Sequence, residues 1–354
     1  MISYTTPTVS LEELRATLNR DYNDSSCFLL VDENSRKHCL PLLYTLDHLL
    51  NLPASIQNAK IIEIPSGEQH KNLQTFIWII EQLVEKQADR KSLLINVGGG
   101  LVCDMGGFVA TCYKRGIDFF NIPTTLLAMV DATHGGKTGI NFENLKNQIG
   151  VFAPARAVAI HLDFLNTLPK EEILSGFAEM IKMALITSVD FWKTVKKADL
   201  TDFISIKPLV LEAIEKKKRI VNRDPVEKSI RKVLNFGHTF GHAFETLALE
   251  NKRDLSHGHA VAMGILCELW LSEKILNFDT IQREEITNFI LSKYPKFPIQ
   301  EADFPRLIEI LLQDKKNSHQ EIKSVLLEKI GYPQLGFNCS EELCLEAFRA
   351  YIAL

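Results

Sequence analysis

Four histidines, His238, His242, His257 and His259, and one glutamate, Glu179, are the residues of this sequence whose types and spacing most readily do chemistry. In Asn235-Phe236-Gly237-His238-Thr239-Phe240-Gly241-His242 the two histidines stand four apart, which sets them on one face of a helix. His257-Gly258-His259 follows a turn after Leu255-Ser256. Glu179 precedes Lys182 by one helical turn in the otherwise apolar run from Leu174 to Lys182. One carboxylate and two imidazoles with an open position form a catalytic zinc-type ligand set, which Glu179, His238 and His257 fit. Singly, each has a plainer reading. A lone histidine is more often satisfied in a core or at a surface, and a glutamate beside a lysine is more often an ion pair.

Two further segments suit the binding of anions. Gly98, Gly99 and Gly100 directly follow the buried-strand pattern Leu93 to Val97, with Gly106 and Gly107 in the helix that comes next. Glycine lets a phosphate approach backbone N–H groups at a helix N-terminus, although the spacing is not the GxGxxG fingerprint and an ordinary tight turn reads the same way. At the end of another strand, Asp32 can accept ribose hydroxyls or simply cap a helix. The stretch from Ile122 to Gly150 is rich in glycine and small polar residues, and its Lys137, Lys146 and Asn147 can hold phosphate or carboxylate oxygens; the alternative is a solvated lysine-bearing loop.

Positioning these groups needs a scaffold. Short β-rich runs at Cys27–Val31, Ala59–Ile64, Leu93–Val97, Phe119–Ile122 and Ala157–His161 alternate with helical stretches, which argues for a mostly parallel α/β sheet. The spacing of Phe76, Ile79, Ile80, Leu83 and Val84 predicts an amphipathic helix before the third of these strands. From Thr167-Leu168-Pro169 onward long helical patterns take over, as in Glu171–Thr187 and Lys207–Asn222. The expected fold is an α/β nucleotide-binding domain over residues 1–166 and an all-α domain over residues 167–354, with the site outside the carboxyl ends of the strands.

The 354 residues exceed what one core usually organises, and 46% hydrophobic with 24% charged residues is the profile of a compact globular protein. A net charge of -4 supplies no general attraction to nucleic acid or to an anionic membrane, so an anionic small molecule must be held by a few placed cations. Seven scattered cysteines without paired spacing suit a reducing compartment. The N-terminus lacks a basic start followed by an apolar run, no stretch is long and apolar enough to span a bilayer, and the expected location is the cytoplasm.

In colinear order from about Val31 to Gly331, the chain resembles the 3-dehydroquinate synthase family. The resemblance is carried by Gly98-Gly99-Gly100 through Asp104, Tyr113-Lys114-Arg115-Gly116, Pro123-Thr124-Thr125-Leu126-Leu127 with Val130-Asp131, Gly135-Gly136-Lys137-Thr138-Gly139, Lys146-Asn147, Thr167-Leu168-Pro169, Ala178-Glu179 with Lys182, Leu234 through His242, His257-Gly258 and Asp314-Lys315-Lys316. It implies that Glu179, His238 and His257 bind a divalent metal, Zn2+ or Co2+. It implies that Asp32, Asn34, Glu68, Lys71, Gly99, Gly100, Asp104, Thr124, Thr125, Lys137, Lys146 and Thr167 contact NAD. Around the substrate it sets Asp131, Lys137, Asn147, Lys182, Lys217, Arg231, Asn235, His242 and a lysine of the 314–316 triplet, with Arg115 reaching in from the partner of a homodimer. Lys217 is chosen among three consecutive lysines by its spacing to Arg231. Two departures stand out: His259 where the commonest pattern has Glu, and Thr133-His134 in place of a small-residue pair followed by an aliphatic.

The implied substrate is 3-deoxy-D-arabino-heptulosonate 7-phosphate, converted to 3-dehydroquinate and phosphate in the shikimate pathway, on the way to aromatic amino acids. The implied route is transient oxidation by NAD, β-elimination of phosphate, return of the hydride, ring opening and intramolecular aldol closure. A metal-dependent alcohol or glycerol dehydrogenase would share the two-domain plan, but the lysine clamp favours a phosphorylated acid over a polyol. Another sugar phosphate cyclase would keep the same metal and NAD residues, and the pair Asn235 and His242 leans against it. A catalytically silent NAD-binding scaffold would lack a metal ligand or a clamp lysine, and none is missing.

Overall fold

The structure, a computed structural model, describes residues 6–45, 58–143, 145–313 and 322–354. The Asp314-Lys315-Lys316 triplet lies outside the described residues. The chain divides into two compact units, Met1–Pro169 with Thr201–Val226, and Lys170–Leu200 with Glu227–Leu354.

The first unit is built on a six-stranded sheet in the order β1-β8-β5-β4-β2-β3, parallel in every pairing. Its strands are β1 (Thr8–Val9), β2 (Cys27–Asp32), β3 (Lys60–Ile64), β4 (Leu93–Gly98), β5 (Asp118–Pro123) and β8 (Val158–Ala159). β2 and β4 read CFLLVD and LLINVG and are buried almost throughout, the pattern of strands covered on both faces. Around them run α1 (Leu11–Asp21), α2 (Glu33–His38), α3 (Leu40–Thr45), α4 (Leu73–Glu85), α5 (Gly100–Cys112) and α6 (Leu126–Val130). Ser10 and Glu13 close a capping box that starts α1, and Asn72 caps α4 through the Thr75 N–H. α4 buries Ile79 and Leu83 as its spacing predicts, and they join Phe28, Leu30, Ile62 and Leu94 in the core.

Two features of this unit differ from the sequence expectation. The last strand is only two residues long. Lys137–Phe142 and Leu145–Phe152, expected as loop, form the antiparallel pair β6 and β7. The long helix α9 (Phe203–Arg223) falls in the first unit with the sheet, so the chain returns to that unit after leaving it.

The second unit holds α7 (Lys170–Thr187), α8 (Val189–Val195), α10 (His238–Glu250), α11 (His257–Leu276), α12 (Thr280–Lys293), α13 (Phe304–Gln313) and α14 (Glu341–Ala353). It is not purely helical: β9 (Ile322–Lys329) and β10 (Tyr332–Cys339) pair antiparallel. Leu327 N donates to Ser272 Oγ of α11, which ties the hairpin to the helices. Among the described residues no helix is long and apolar enough to cross a membrane.

Candidate active site

In the helical unit, α7, α10 and α11 approach at glycines. A Cβ on Gly258 would stand 2.0 Å from the Ser175 carbonyl oxygen, and one on Gly264 would stand 2.0 Å from that of Gly237. Any larger residue at either position would force the helices apart. Gly237 has φ of 81°, a left-handed conformation that suits glycine, and its N–H donates to the fully buried carboxylate of Glu268 at 2.7 Å. These contacts start α10 at His238 and bring its first turn against α7 and the start of α11.

Glu179, His238 and His257 thereby converge, with one ligand atom from each lying within 4.8 Å of the others. His238 Nε2 and His257 Nε2 lie 3.5 and 3.6 Å from Glu179 Oε1. Phe236 O accepts from His238 Nδ1 at 3.2 Å, a tautomer that puts the lone pair on Nε2, the atom that faces Glu179. Burial acts to lower the His257 pKa, but the carboxylates of Glu179 and Glu245 outweigh it and carry it to about 9, so the place is electrostatically built for positive charge. The donor set of two imidazoles and a carboxylate suits Zn2+ or Co2+. His259 belongs to neither metal-competent cluster among the described residues. Its Nε2 instead contacts the Pro295 carbonyl at 2.6 Å.

The same unit carries the cations and polar groups expected at a substrate. Lys182 is 1% exposed and ion-paired to Glu179 one turn earlier on α7. Arg231 is 2% exposed, and Asn235 Nδ2 donates to Glu227 Oε1 at 3.2 Å. The His242 ring lies edge-on to His238 with centroids 5.3 Å apart.

In the α/β unit the expected cofactor residues gather at the carboxyl ends of adjacent strands. The chain leaves β2 for β3 on one side and then crosses to β4 on the other, which makes the β2/β4 boundary the topological switch point. Asp32 ends β2, Gly98 to Gly100 end β4 and open α5, and Thr124 and Thr125 follow β5. Gly99 is the N-cap of α5 and offers no side chain to the orphan N–H groups there; a Cβ on it would crowd the Thr125 side chain at 3.1 Å. A phosphate can approach that open helix end, so the cradle fits a dinucleotide. Asp32 also acts as a helix cap, accepting from Ser35 N at 2.7 Å, and Asn34 is exposed on α2.

Two buried ion pairs join expected residues within this unit. Lys71 Nζ donates to Asp104 Oδ2 at 2.6 Å and to Asn147 Oδ1 at 2.8 Å. Burial would depress the Lys71 pKa, yet Asp104 and Glu68 together hold it above its ordinary value. Asn147, at φ of 51°, is fixed by its N–H to Asn141 Oδ1, and Asn141 Nδ2 reaches Glu68. The second pair is Lys217 on α9, whose Nζ donates to the Asp131 carboxylate at 2.6 Å and to its carbonyl at 2.7 Å. Its neighbours Lys216 and Lys218 pair with Glu212 and Glu215 along the helix, whereas Lys217 pairs with Asp131.

The remaining expected residues are more dispersed. Lys137 and Lys146 are exposed on β6 and β7. Thr167 is exposed, with its hydroxyl near Phe164 O. Arg115 is exposed in a turn where Lys114, Arg115 and Gly116 all have positive φ. Glu227, Glu245 and Glu268 were not singled out from the sequence. Of these, Glu268 carried a legible signal, an acid inside the apolar run Val261–Leu271, the same signal that marked Glu179.

Comparison with known proteins matches both halves of one family. The 3-dehydroquinate synthase N-terminal model matches residues 61–175 and the C-terminal model matches residues 176–317. The 3-dehydroquinate synthase of Parabacteroides distasonis is 42% identical over 92% of this chain and 90% of its own length, and that of Staphylococcus saprophyticus is 39% identical over 89% and 86%. Among solved structures, a 2-deoxy-scyllo-inosose synthase complexed with carbaglucose-6-phosphate, NAD+ and Co2+ superposes with a TM-score of 0.81 at 22% identity, covering 98% of this chain and 96% of that one. A 2-epi-5-epi-valiolone synthase from Streptomyces hygroscopicus with NAD+ and Zn2+ bound gives 0.81 at 20% identity over 100% and 98%. The two structures share the fold. Matched by both halves of the pattern and by relatives over most of its length, the chain belongs to the 3-dehydroquinate synthase family.

Proposed function

We propose that this chain converts 3-deoxy-D-arabino-heptulosonate 7-phosphate into 3-dehydroquinate and inorganic phosphate, with NAD and one Zn2+ or Co2+ ion bound. The observation that carries the reading is the convergence of Glu179, His238 and His257 in a unit that also buries Lys182 and Arg231, in a chain of this family. When bound, NAD supplies a reversible hydride acceptor and the metal a Lewis acid for the substrate's hydroxyls.

The chain's own residues supply binding and orientation. Buried Lys182 and Arg231 place positive charge in the unit that carries the metal-competent cluster, suited to an anionic substrate group, and Asn235 and His242 add directed hydrogen bonds. In the α/β unit, Lys217 is locked on Asp131 and Asn147 on Lys71, so their side chains are positioned before substrate arrives. Lys137, the first residue of β6, adds a further cation. In the proposed route one of the phosphate's own oxygens takes the proton of the neighbouring acidified C–H, and elimination then needs no dedicated protein base.

The test is to incubate the protein with NAD, Co2+ or Zn2+ and the heptulosonate phosphate, following phosphate release, product identity and NADH absorbance together. Phosphate and 3-dehydroquinate are expected in equal amounts with no net NADH, and a chelator abolishes both. A rise in NADH that tracks product identifies a dehydrogenase, and a different carbocycle identifies another cyclase.

The working form is read as a homodimer in the cytoplasm. None of the seven cysteines is in a disulfide, as a reducing compartment permits. β7 is exposed along its length and presents Leu145, Ile149, Val151 and Phe152, an apolar edge that suits a second copy. Arg115 would complete the partner's site, where its planar fork can grip a phosphate at two points. Arg115→Ala is expected to lower kcat/KM by about tenfold to a hundredfold, the loss of one charge-assisted contact. Mixing weakly active Arg115→Ala subunits with inactive Lys182→Met subunits, each first checked to be folded, should raise activity above that of either parent by restoring one complete site per mixed dimer. Demonstrated subunit exchange with no recovered activity rules the cross-subunit role out.

A further inference from the structure

We infer that Glu245 is the residue that positions His257 for the metal, an inference that rests on the Glu179, His238 and His257 site proposed above. His257 lies between two carboxylates. Its Nε2 faces Glu179 Oε1 at 3.6 Å and its Nδ1 faces Glu245 Oε2 at 3.7 Å. A neutral imidazole that coordinates through Nε2 carries its proton on Nδ1, and that proton needs an acceptor to fix the tautomer and the ring plane.

For His238 the acceptor is a backbone carbonyl, Phe236 O, supplied by the turn that precedes α10. His257 opens α11, where Ser256 Oγ accepts from the His259 N–H, and the polar side chain that faces its Nδ1 is Glu245. Glu245 follows His242 by three residues on α10, so the helix that delivers His238 also delivers the carboxylate that orients the other imidazole. At 3.7 Å the two atoms are an ion-pair contact, and a charge-assisted hydrogen bond between them would be about 2.8 Å long.

A second arrangement competes on the same atoms. His242, Glu245 and His257 form another metal-competent cluster, in which Glu245 would itself be a ligand. His257 cannot direct Nε2 to Glu179 and also offer a neutral Nδ1 lone pair to an ion beside Glu245. Glu179 is 2% exposed and aligned with the Nε2 atoms of both histidines, which favours an ion on its side and leaves Glu245 outside the coordination sphere.

The experiment measures Co2+ affinity by chelator competition, and the visible absorption of the saturated protein, for wild type, Glu245→Gln, Glu245→Ala and His238→Ala. Glu245→Ala should weaken Co2+ binding about 10- to 100-fold with the saturated spectrum and one-ion stoichiometry kept. Glu245→Gln, whose amide oxygen still accepts from Nδ1–H, should fall between it and wild type, and it serves alone if the alanine variant fails to fold. Wild-type affinity in these Glu245 variants overturns the inference. So does a changed spectrum at saturation, which makes Glu245 a ligand. His238→Ala that retains stoichiometric Co2+ overturns instead the site on which the inference rests.

Discussion

Glu179→Ala is expected to lose the metal, to lower turnover by about a thousandfold or more, and to destabilise the helical unit by about 3 to 5 kcal/mol. The activity and the stability losses have different causes. Removing the carboxylate takes one of the proposed metal ligands away, and Lewis-acid stabilisation of several kcal/mol goes with it. It also leaves the Lys182 ammonium, whose side chain is 2% exposed, without the carboxylate it is paired to. Breaking one partner of a buried pair costs more than the pair itself contributes, because the remaining charge cannot be rehydrated in place. The double variant Glu179→Leu with Lys182→Met removes both charges at similar volume. It is expected to regain most of the stability and none of the metal, as read by urea unfolding and by metal content after gel filtration. Stoichiometric metal in Glu179→Ala ends the assignment of Glu179 as a ligand. A double variant no more stable than the single one removes the charge argument.

Features with strong local punctuation were legible in the sequence. β2 and β4 are short apolar runs bounded by turn residues, and three glycines after β4 mark where a helix must start abruptly. His238 and His242 at helical spacing, with an acid in an apolar helix, were enough to suggest a metal site. Pairings settled by tertiary partners were not legible. β7 is exposed at nearly every residue, so it shows no buried alternation to distinguish it from a loop. In α9 the buried residues Ile206, Leu209, Val210, Ala213, Ile214 and Val221 announce one apolar face, but periodicity does not name the unit that covers it. Likewise Glu245, three residues after His242, reads as an ordinary acid on a helix until α11 brings His257 opposite it. Asp32 shows a different ambiguity: a cap for α2 and an acceptor at a strand end call for the same residue, and its carboxylate is seen in the first role.

The departure at position 134 leads to a stability that falls steeply in acid. His134 is 3% exposed, and neither ring nitrogen has a hydrogen bond of good geometry; the Met129 backbone offers only a partial contact. Burial first, and then the ammonium groups of Lys217 and Lys218, push its pKa down to about 3. In the unfolded chain a histidine titrates near 6.5, so between those values the unfolded state binds the proton that the folded state refuses. Above about pH 6.5 the group adds no pH dependence, and as pH falls below that value stability drops until the folded pKa is reached. The loss is about 2 kcal/mol at pH 5 and about 4 kcal/mol at pH 3. Acidic residues that lose their partners in acid act in the same direction, so the measurement is a difference: urea unfolding of metal-free wild type and His134→Val at pH 8 and pH 5. Wild type should lose about 2 kcal/mol more than the variant across that range, and equal losses would remove His134 from the account. The link to function runs through Lys217. Lys217, held on Asp131 at 2.6 Å, adds to the burial that keeps His134 neutral, and the unfolding that lets His134 take its proton in acid also breaks this pair. The acid limb of activity should therefore extend to lower pH in His134→Val than in wild type, with the activity at pH 8 unchanged.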